Sequence, residues 1–150
     1  RSDGVVFLDY GCVRFFEPGH VEAWKRLAWC ALEGRRDDLP EVTEATGFVP
    51  DPTRYDWDAH WEVMEYLYEP FKKPGFRYTH DYVQRSYELM SPKNPNWRRT
   101  AMPPAWLLTN RLQWGLNSLL AMLDVPADFP TFYRECLSLP IEPAALPEAP

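Results

Sequence analysis

Asp9 ends a short apolar run and is the residue of this sequence best placed to bind a metal ion. The run from Gly4 to Leu8 is rich in β-branched residues, and Asp9-Tyr10-Gly11 follows it directly. This pattern predicts a buried strand that enters a sharp turn. A carboxylate fixed at a strand end can bind Mg²⁺, which neutralises nucleotide phosphates, and kinases use Asp-Phe-Gly at this point. An ordinary strand followed by a turn gives the same pattern, so the metal site is a hypothesis.

A second motif with metal-ligand spacing is weaker. Glu17 and His20 are spaced like a ligand pair in carboxylate-bridged di-iron bundles. Pro18 and Gly19 lie between them and are typical of a helix start, so the two side chains are not expected to share one helical face. The motif also occurs only once, and we expect no metal role for it.

Two other groups of polar residues have both a chemical and a structural interpretation. His60 falls on the apolar face of a predicted helix with Trp57 and Trp61. A hydrogen-bonded core histidine is the expected role, and a ligand or a base is the alternative. Glu62, Glu65 and Glu69 share a helical face, for which we expect solvent exposure, with metal ligation as the alternative.

Apolar periodicity predicts that the rest of the chain is mainly helical. The expected helices run from Pro18 to Gly34, from a capping box at Asp38–Glu41 to Gly47, from a cap at Asp56 to Pro70 and Pro74, from Thr79 to Pro92, from about Pro104 to Leu123, and from Phe132 to Leu137. Leucines on the longest of these helices, Pro104 to Leu123, cover more than one narrow stripe. We therefore expect that helix to be central and largely buried, and we expect packing to explain most of the tryptophans.

Several stretches resemble the AarF/UbiB family of atypical kinases. Leu8-Asp9-Tyr10-Gly11-Cys12-Val13-Arg14, followed by a loop and a Trp- and Leu-rich helix, is similar to one family segment. A short helix that ends near Gly47-Phe48-Val49-Pro50 looks like the next family element. The segment from Asn110 to Leu123 is similar to the late family pattern Arg-x-x-x-Gly-Leu-x-x-Leu-Leu-Ala-x-Leu. The order and spacing of these pieces carry the resemblance.

The resemblance implies a protein-kinase-like fold that binds ATP with a divalent metal such as Mg²⁺, in a family linked to quinone or lipid metabolism. Asp9 matches the metal-binding Asp of the family and is the one catalytic and metal residue that we assign. Tyr10 stands where Phe is commoner, which we expect to leave metal binding intact. The nucleotide-covering loop, the ATP-orienting Lys and the catalytic-loop Asp and Asn would all lie upstream of Arg1.

We therefore predict a mainly α chain, the helical C-terminal lobe of a kinase-like α+β fold with one short N-terminal strand. Residues 1–12 would form the strand and metal-binding turn, 13–139 the helical lobe, and 140–150 a Pro/Ala-rich disordered tail. Because the chain begins with Arg1, we expect an upstream kinase lobe as its partner and no phosphoryl transfer from this segment by itself. A non-catalytic helical interaction module is the alternative.

Composition limits the partners. The net charge is -6, which argues against nucleic acid as a ligand because phosphate binding needs a basic surface. Lys72-Lys73 and Trp97-Arg98-Arg99 are small basic clusters that could meet a phosphate or an acidic lipid head group, although ordinary surface charge explains them. We expect no transmembrane segment, a location in the cytoplasm or at the periphery of the membrane, and a homodimer formed through exposed apolar surface near Gly4–Leu8.

Overall fold

The computed structural model describes residues 15–141, and helices dominate this range. Six α-helices follow one another: α1 Pro18–Glu33, α2 Leu39–Glu44, α3 Trp57–Leu67, α4 His80–Leu89, α5 Leu107–Leu123 and α6 Phe129–Ser138. Short 3-10 turns lie between them at Arg36–Asp38, Pro52–Arg54, Glu69–Phe71 and Pro104–Trp106. The mainly α prediction is confirmed over this range. The predicted strand at Gly4–Leu8 and the metal ligand Asp9 lie outside the described residues.

The helix ends with local sequence signals are where the sequence predicts them. Asp56 begins α3, and its Oδ1 accepts a hydrogen bond of 3.0 Å from the Ala59 backbone N–H. Thr79 begins α4 in the same way, with 3.1 Å between its Oγ1 and the Tyr82 nitrogen. Gly34 ends α1 at φ +68°, a left-handed conformation that glycine adopts without steric cost.

Helix α2 begins at Leu39 as the sequence predicts, but one predicted cap and one other predicted helix start are wrong. Asp38 does not form a capping box, because its backbone is already helical at φ -82° and ψ -13° and its side chain makes no capping hydrogen bond. A side-chain cap needs an extended backbone at the capping residue. The 3-10 turn that precedes α2 gives Asp38 a helical backbone instead. The last helix begins at Phe129 instead of Phe132, since Asp128 caps it through the Thr131 backbone N–H at 3.3 Å.

The main core lies between α1, α2, α3 and α6. Small and branched side chains of α1 face Trp61 and Met64 of α3, and Tyr68 and Leu137 close the cluster. A second, smaller cluster forms around Tyr78, Tyr82 and Val83, against which Leu120 of α5 packs. Among the helices of residues 15–141, none combines the length and the apolar character that crossing a bilayer requires.

Helix α5 is not the central, buried helix that the sequence predicts. No residue of α5 is buried, and Leu112 and Met122 are 66% and 81% exposed. Helix α4 makes its main contact, through stacking of Tyr87 on Trp114 at 4.4 Å between ring centroids. One contacting helix covers only one side of a helix whose apolar residues surround much of its circumference, and the rest therefore faces outward in this part of the chain.

Candidate functional site

Phe16, which precedes α1, packs against the start of the helical region. The Phe16 ring stacks on the indole of Trp106, with 5.1 Å between the ring centroids and 26° between the ring planes. Stacked aromatic pairs at this separation contribute about 0.5–1.5 kcal/mol beyond the area they bury. Phe16, seven positions after Asp9, is therefore packed in the folded structure, although Asp9 itself is outside the described range.

Trp106 is the centre of a four-ring cluster that we call the aromatic junction: Phe16, Trp24, Phe48 and Trp106. Trp24 of α1 lies 5.1 Å and Phe48 lies 6.0 Å from Trp106 between ring centroids. Trp106 is 5% exposed and is therefore almost completely buried. Because Trp106 precedes α5 directly, the junction joins the start of α1, the turn after α2 and the start of α5.

A glycine turn locks one side of the aromatic junction. Gly47 has φ +79°, and a Cβ placed on it would lie 3.3 Å from Cγ of Pro103. The Ala101 backbone N–H donates to the Phe48 carbonyl at 2.8 Å, which fixes this turn to the loop that leads into Trp106. Glycine at position 47 is thus required by both its backbone conformation and the closeness of Pro103.

The junction contains one buried donor without an acceptor in residues 15–141. The Trp106 Nε1–H is buried and finds no hydrogen-bond partner there. A buried donor that stays unsatisfied costs about 1–3 kcal/mol. An acceptor supplied from outside the described residues would remove that cost. A segment that brought such an acceptor to Trp106 would therefore bind more favourably there.

His60 lies in a network of hydroxyl groups. Its Nδ1 is 3.2 Å from the Tyr55 hydroxyl, and its Nε2 is 3.4 Å from Oγ1 of Thr43, which is fully buried. Burial lowers the pKa of His60 to about 4, because the imidazolium loses hydration that two neutral hydroxyls do not replace. His60 is therefore neutral near pH 7 and occupies the hydrogen-bonded position expected from the sequence.

The same network continues into the loop before α5. The Tyr55 hydroxyl lies 3.2 Å from Oγ1 of Thr100, which donates to the Asn96 carbonyl at 3.1 Å. The Asn96 side chain then pairs with the Asp56 backbone, accepting from its N–H at 2.9 Å and donating to its carbonyl at 2.7 Å. These bonds tie the start of α3 to a long loop, which is a positioning role. Sequence reasoning missed Asn96 and Thr100 because their partners lie far away in the sequence.

The remaining candidate residues do not come together as a metal site. Glu17 is the residue before α1, with an extended backbone, so it does not share a helical face with His20. Glu65 pairs with Lys72 at 3.6 Å, and Glu69 pairs with Lys73. Within residues 15–141, no three His, Cys, Asp or Glu side chains are grouped closely enough to hold a metal ion.

Helix α5 presents a continuous apolar face that we call the leucine stripe: Leu108, Leu112, Leu116, Leu119 and Leu123. These side chains are 53%, 66%, 55%, 57% and 66% exposed, in that order. At about 100° per residue they fall within a sector of about 80° on the side away from Trp114. Monomeric proteins rarely expose contiguous apolar patches larger than a few hundred Å², so this face is a candidate interaction surface.

Comparisons of the chain with models of known protein families, with curated proteins and with solved structures gave no match.

Proposed function

We propose that this chain is the helical C-terminal lobe of an AarF/UbiB-type atypical kinase or ATPase, in which Asp9 binds the Mg²⁺ that accompanies ATP. The observation that supports this most directly is the aromatic junction. It joins the separate stretches of sequence that resemble the family. The parent protein would act in quinone or lipid metabolism, in the cytoplasm or at a membrane surface.

Each ring of the junction belongs to, or borders, a different family-like stretch. Phe16 follows the stretch that contains Asp9, and Trp24 lies in the Trp-rich helix α1. Phe48 belongs to Gly47–Pro50, and Trp106 directly precedes α5. The contacts at Trp106 therefore bring together residues in or beside these stretches, as one lobe built from the whole set would require.

Phe16 lies seven positions after Asp9 in the sequence, and seven residues of extended chain span at most about 25 Å. We propose that Asp9 lies at the end of the lobe where α1 and α5 begin. A carboxylate there would offer the hard oxygen ligand that Mg²⁺ requires, while phosphate oxygens and waters complete its coordination.

The described residues supply no substitute for the groups expected upstream. His60 is the only histidine there inside a hydrogen-bonded network, and its lowered pKa of about 4 makes it a poor proton acceptor at pH 7. We therefore propose that the ATP-orienting Lys and the catalytic-loop Asp come from a lobe upstream of Arg1. For the 150-residue chain by itself we expect no phosphoryl transfer.

The experiment that tests the assignment restores the natural upstream sequence and measures Mg²⁺-dependent ATP binding. We expect Asp9→Ala to weaken binding by at least about tenfold, because one carboxylate ligand is lost from the metal. Asp37→Ala is the matched control, since Asp37 is an exposed aspartate in the 3-10 turn after α1. Equal ATP affinity in the wild type and in Asp9→Ala would exclude the proposed role of Asp9.

A non-catalytic helical interaction module is the second candidate, and the exposed leucine stripe favours it. The genomic sequence before Arg1 distinguishes the two functions. A Gly- or Ala-rich turn, a strand with a Lys and a catalytic Asp in that sequence would favour the kinase. A start codon directly before Arg1 would favour the module.

A further inference from the structure

We propose that two copies of this chain associate through the leucine stripe of α5, with the two α5 helices antiparallel about a twofold axis between Gly115 and Leu116. This inference goes beyond the proposed function and does not depend on Asp9, ATP or Mg²⁺. It also assigns self-association to α5 instead of to the Gly4–Leu8 run.

The spacing of the stripe makes it complementary to itself. Leu108 and Leu123 lie equally far from the point midway between residues 115 and 116, and so do Leu112 and Leu119. An antiparallel copy would therefore place Leu108 against the second copy's Leu123, and Leu112 against its Leu119. Leu116 of the two copies would meet at the axis. A twofold interface requires one patch to match itself, and the four leucines that pair in this way meet that requirement.

The spacing also suits close helix packing. Leu112, Leu116, Leu119 and Leu123 follow one another at intervals of four, three and four residues. These are the intervals at which side chains of one helix insert between those of a neighbour crossing at a shallow angle. Gly115 beside the axis has no heavy atom within 4 Å of the position a Cβ would take, so a second backbone has room to approach there.

Charge does not oppose the pairing. Arg111 is the only charged residue in α5, and it lies about 100° around the helix from the centre of the stripe. In the antiparallel arrangement the two Arg111 Cα atoms would be about 14 Å apart along the helix axes, which exceeds the Debye length of about 8 Å at physiological ionic strength. The pair would therefore bury no unpaired charge, a condition that a stable interface must meet.

The size of the stripe sets the expected affinity. Helix α5 has 17 residues, so the seam would be about 25 Å long. Five leucines per copy, each more than half exposed, would be covered, and Met122 at 81% exposure would border the seam. A seam between single helices lies at the small end of specific interfaces, under about 1,200 Å² in total. We therefore expect a reversible dimer with a dissociation constant in the micromolar range.

Disulfide trapping tests the geometry. In a background with Cys12 and Cys136 changed to Ser, the double variant Leu108→Cys, Leu123→Cys should form covalent dimers readily under mild oxidation, because each new thiol faces the other one across the axis. Each single variant should cross-link at least about tenfold more slowly. Its two cysteines, one in each chain, would be about 22 Å apart, and a disulfide needs Cα atoms within about 7 Å. Fast cross-linking of the single variants would instead indicate parallel helices and would overturn the arrangement, as would the absence of cross-linking in the double variant.

Sedimentation equilibrium tests the association itself. Leu116→Glu places two carboxylates at the axis, and we expect it to raise the dissociation constant by about 100-fold or more. Leu139→Glu is the matched control, because Leu139 is 62% exposed and lies outside α5, and it should change the constant by less than about threefold. Far-UV circular dichroism checks that both variants keep their helices. A wild-type chain that stays monomeric at about 100 μM, or one that forms open-ended polymers, would refute the twofold α5 pair.

Discussion

The pH dependence of stability is the sharpest prediction from the hydroxyl network around His60. The pKa of His60 is about 4 in the folded chain, against 6.5 for an ordinary histidine. The unfolded chain therefore binds a proton at His60 at a higher pH than the folded chain does. Stability from this residue is fully present above pH 6.5 and is lost progressively as the pH falls from about 6.5 toward 4, because protonation then favours the unfolded state.

The size of the effect follows from the two pKa values. A difference of about 2.5 pKa units corresponds to about 3.4 kcal/mol when the pH is below both values. Between pH 7.5 and pH 4.5 the loss should be about 2.5 kcal/mol, because pH 4.5 is still above the folded-state pKa and the full difference is reached only below it. This is a large share of the 5–15 kcal/mol that stabilises typical domains, so it should be visible without ambiguity.

The assay compares urea unfolding of the wild type and of His60→Gln across this pH range. Glutamine keeps a donor and an acceptor for Tyr55 and Thr43 but does not titrate. The wild type should lose about 2.5 kcal/mol more free energy of unfolding than His60→Gln on going from pH 7.5 to 4.5. His80→Gln, the same change at an exposed histidine at the start of α4, is the matched control for the substitution itself. Parallel profiles for the wild type and His60→Gln would refute the reasoning.

Two further predictions concern the aromatic junction and are measured by chemical denaturation. Trp106→Ala should lower the free energy of unfolding by about 3–5 kcal/mol, because it empties the centre of the cluster. Trp97→Ala is the control, and it should cost less than about 1 kcal/mol because Trp97 is 50% exposed. Equal losses would contradict the central position of Trp106. Gly47→Ala should lower the free energy of unfolding by about 1–2 kcal/mol, because of φ +79° and the contact with Pro103. Gly19→Ala is the control, and it should be neutral or slightly stabilising because open space surrounds Gly19. The reverse order would show that the turn is not strained.

The candidate metal ligand and the positioning residues differ in how far the sequence reveals them. Asp9 was predicted from its place after an apolar run, and it remains a prediction because it lies outside the described residues. Nothing in the sequence distinguishes Trp106 from the other tryptophans, since packing on a helix explains all of them equally well. Its burial depends on Phe16, Trp24 and Phe48, which reach it from three other parts of the chain.

The sequence by itself determined the helical class and most helix ends, because these depend on residues within one turn of each other. Asp56, Thr79 and Gly34 act on backbone groups at most four positions away, so their effect can be read directly from the chain. Even this local information failed at Asp38, where the preceding 3-10 turn had already made the backbone helical.

Only the tertiary structure decided which apolar surfaces are covered. The periodicity of α5 indicates that burial of its leucines is favourable, but it does not indicate what they pack against. Helix α4 reaches one side of α5, and the leucine stripe on the other side remains exposed in the described chain. Burial depends on the positions of all neighbouring elements at once, and that is the physical reason why the sequence pattern predicts a buried helix while the structure leaves an exposed apolar face.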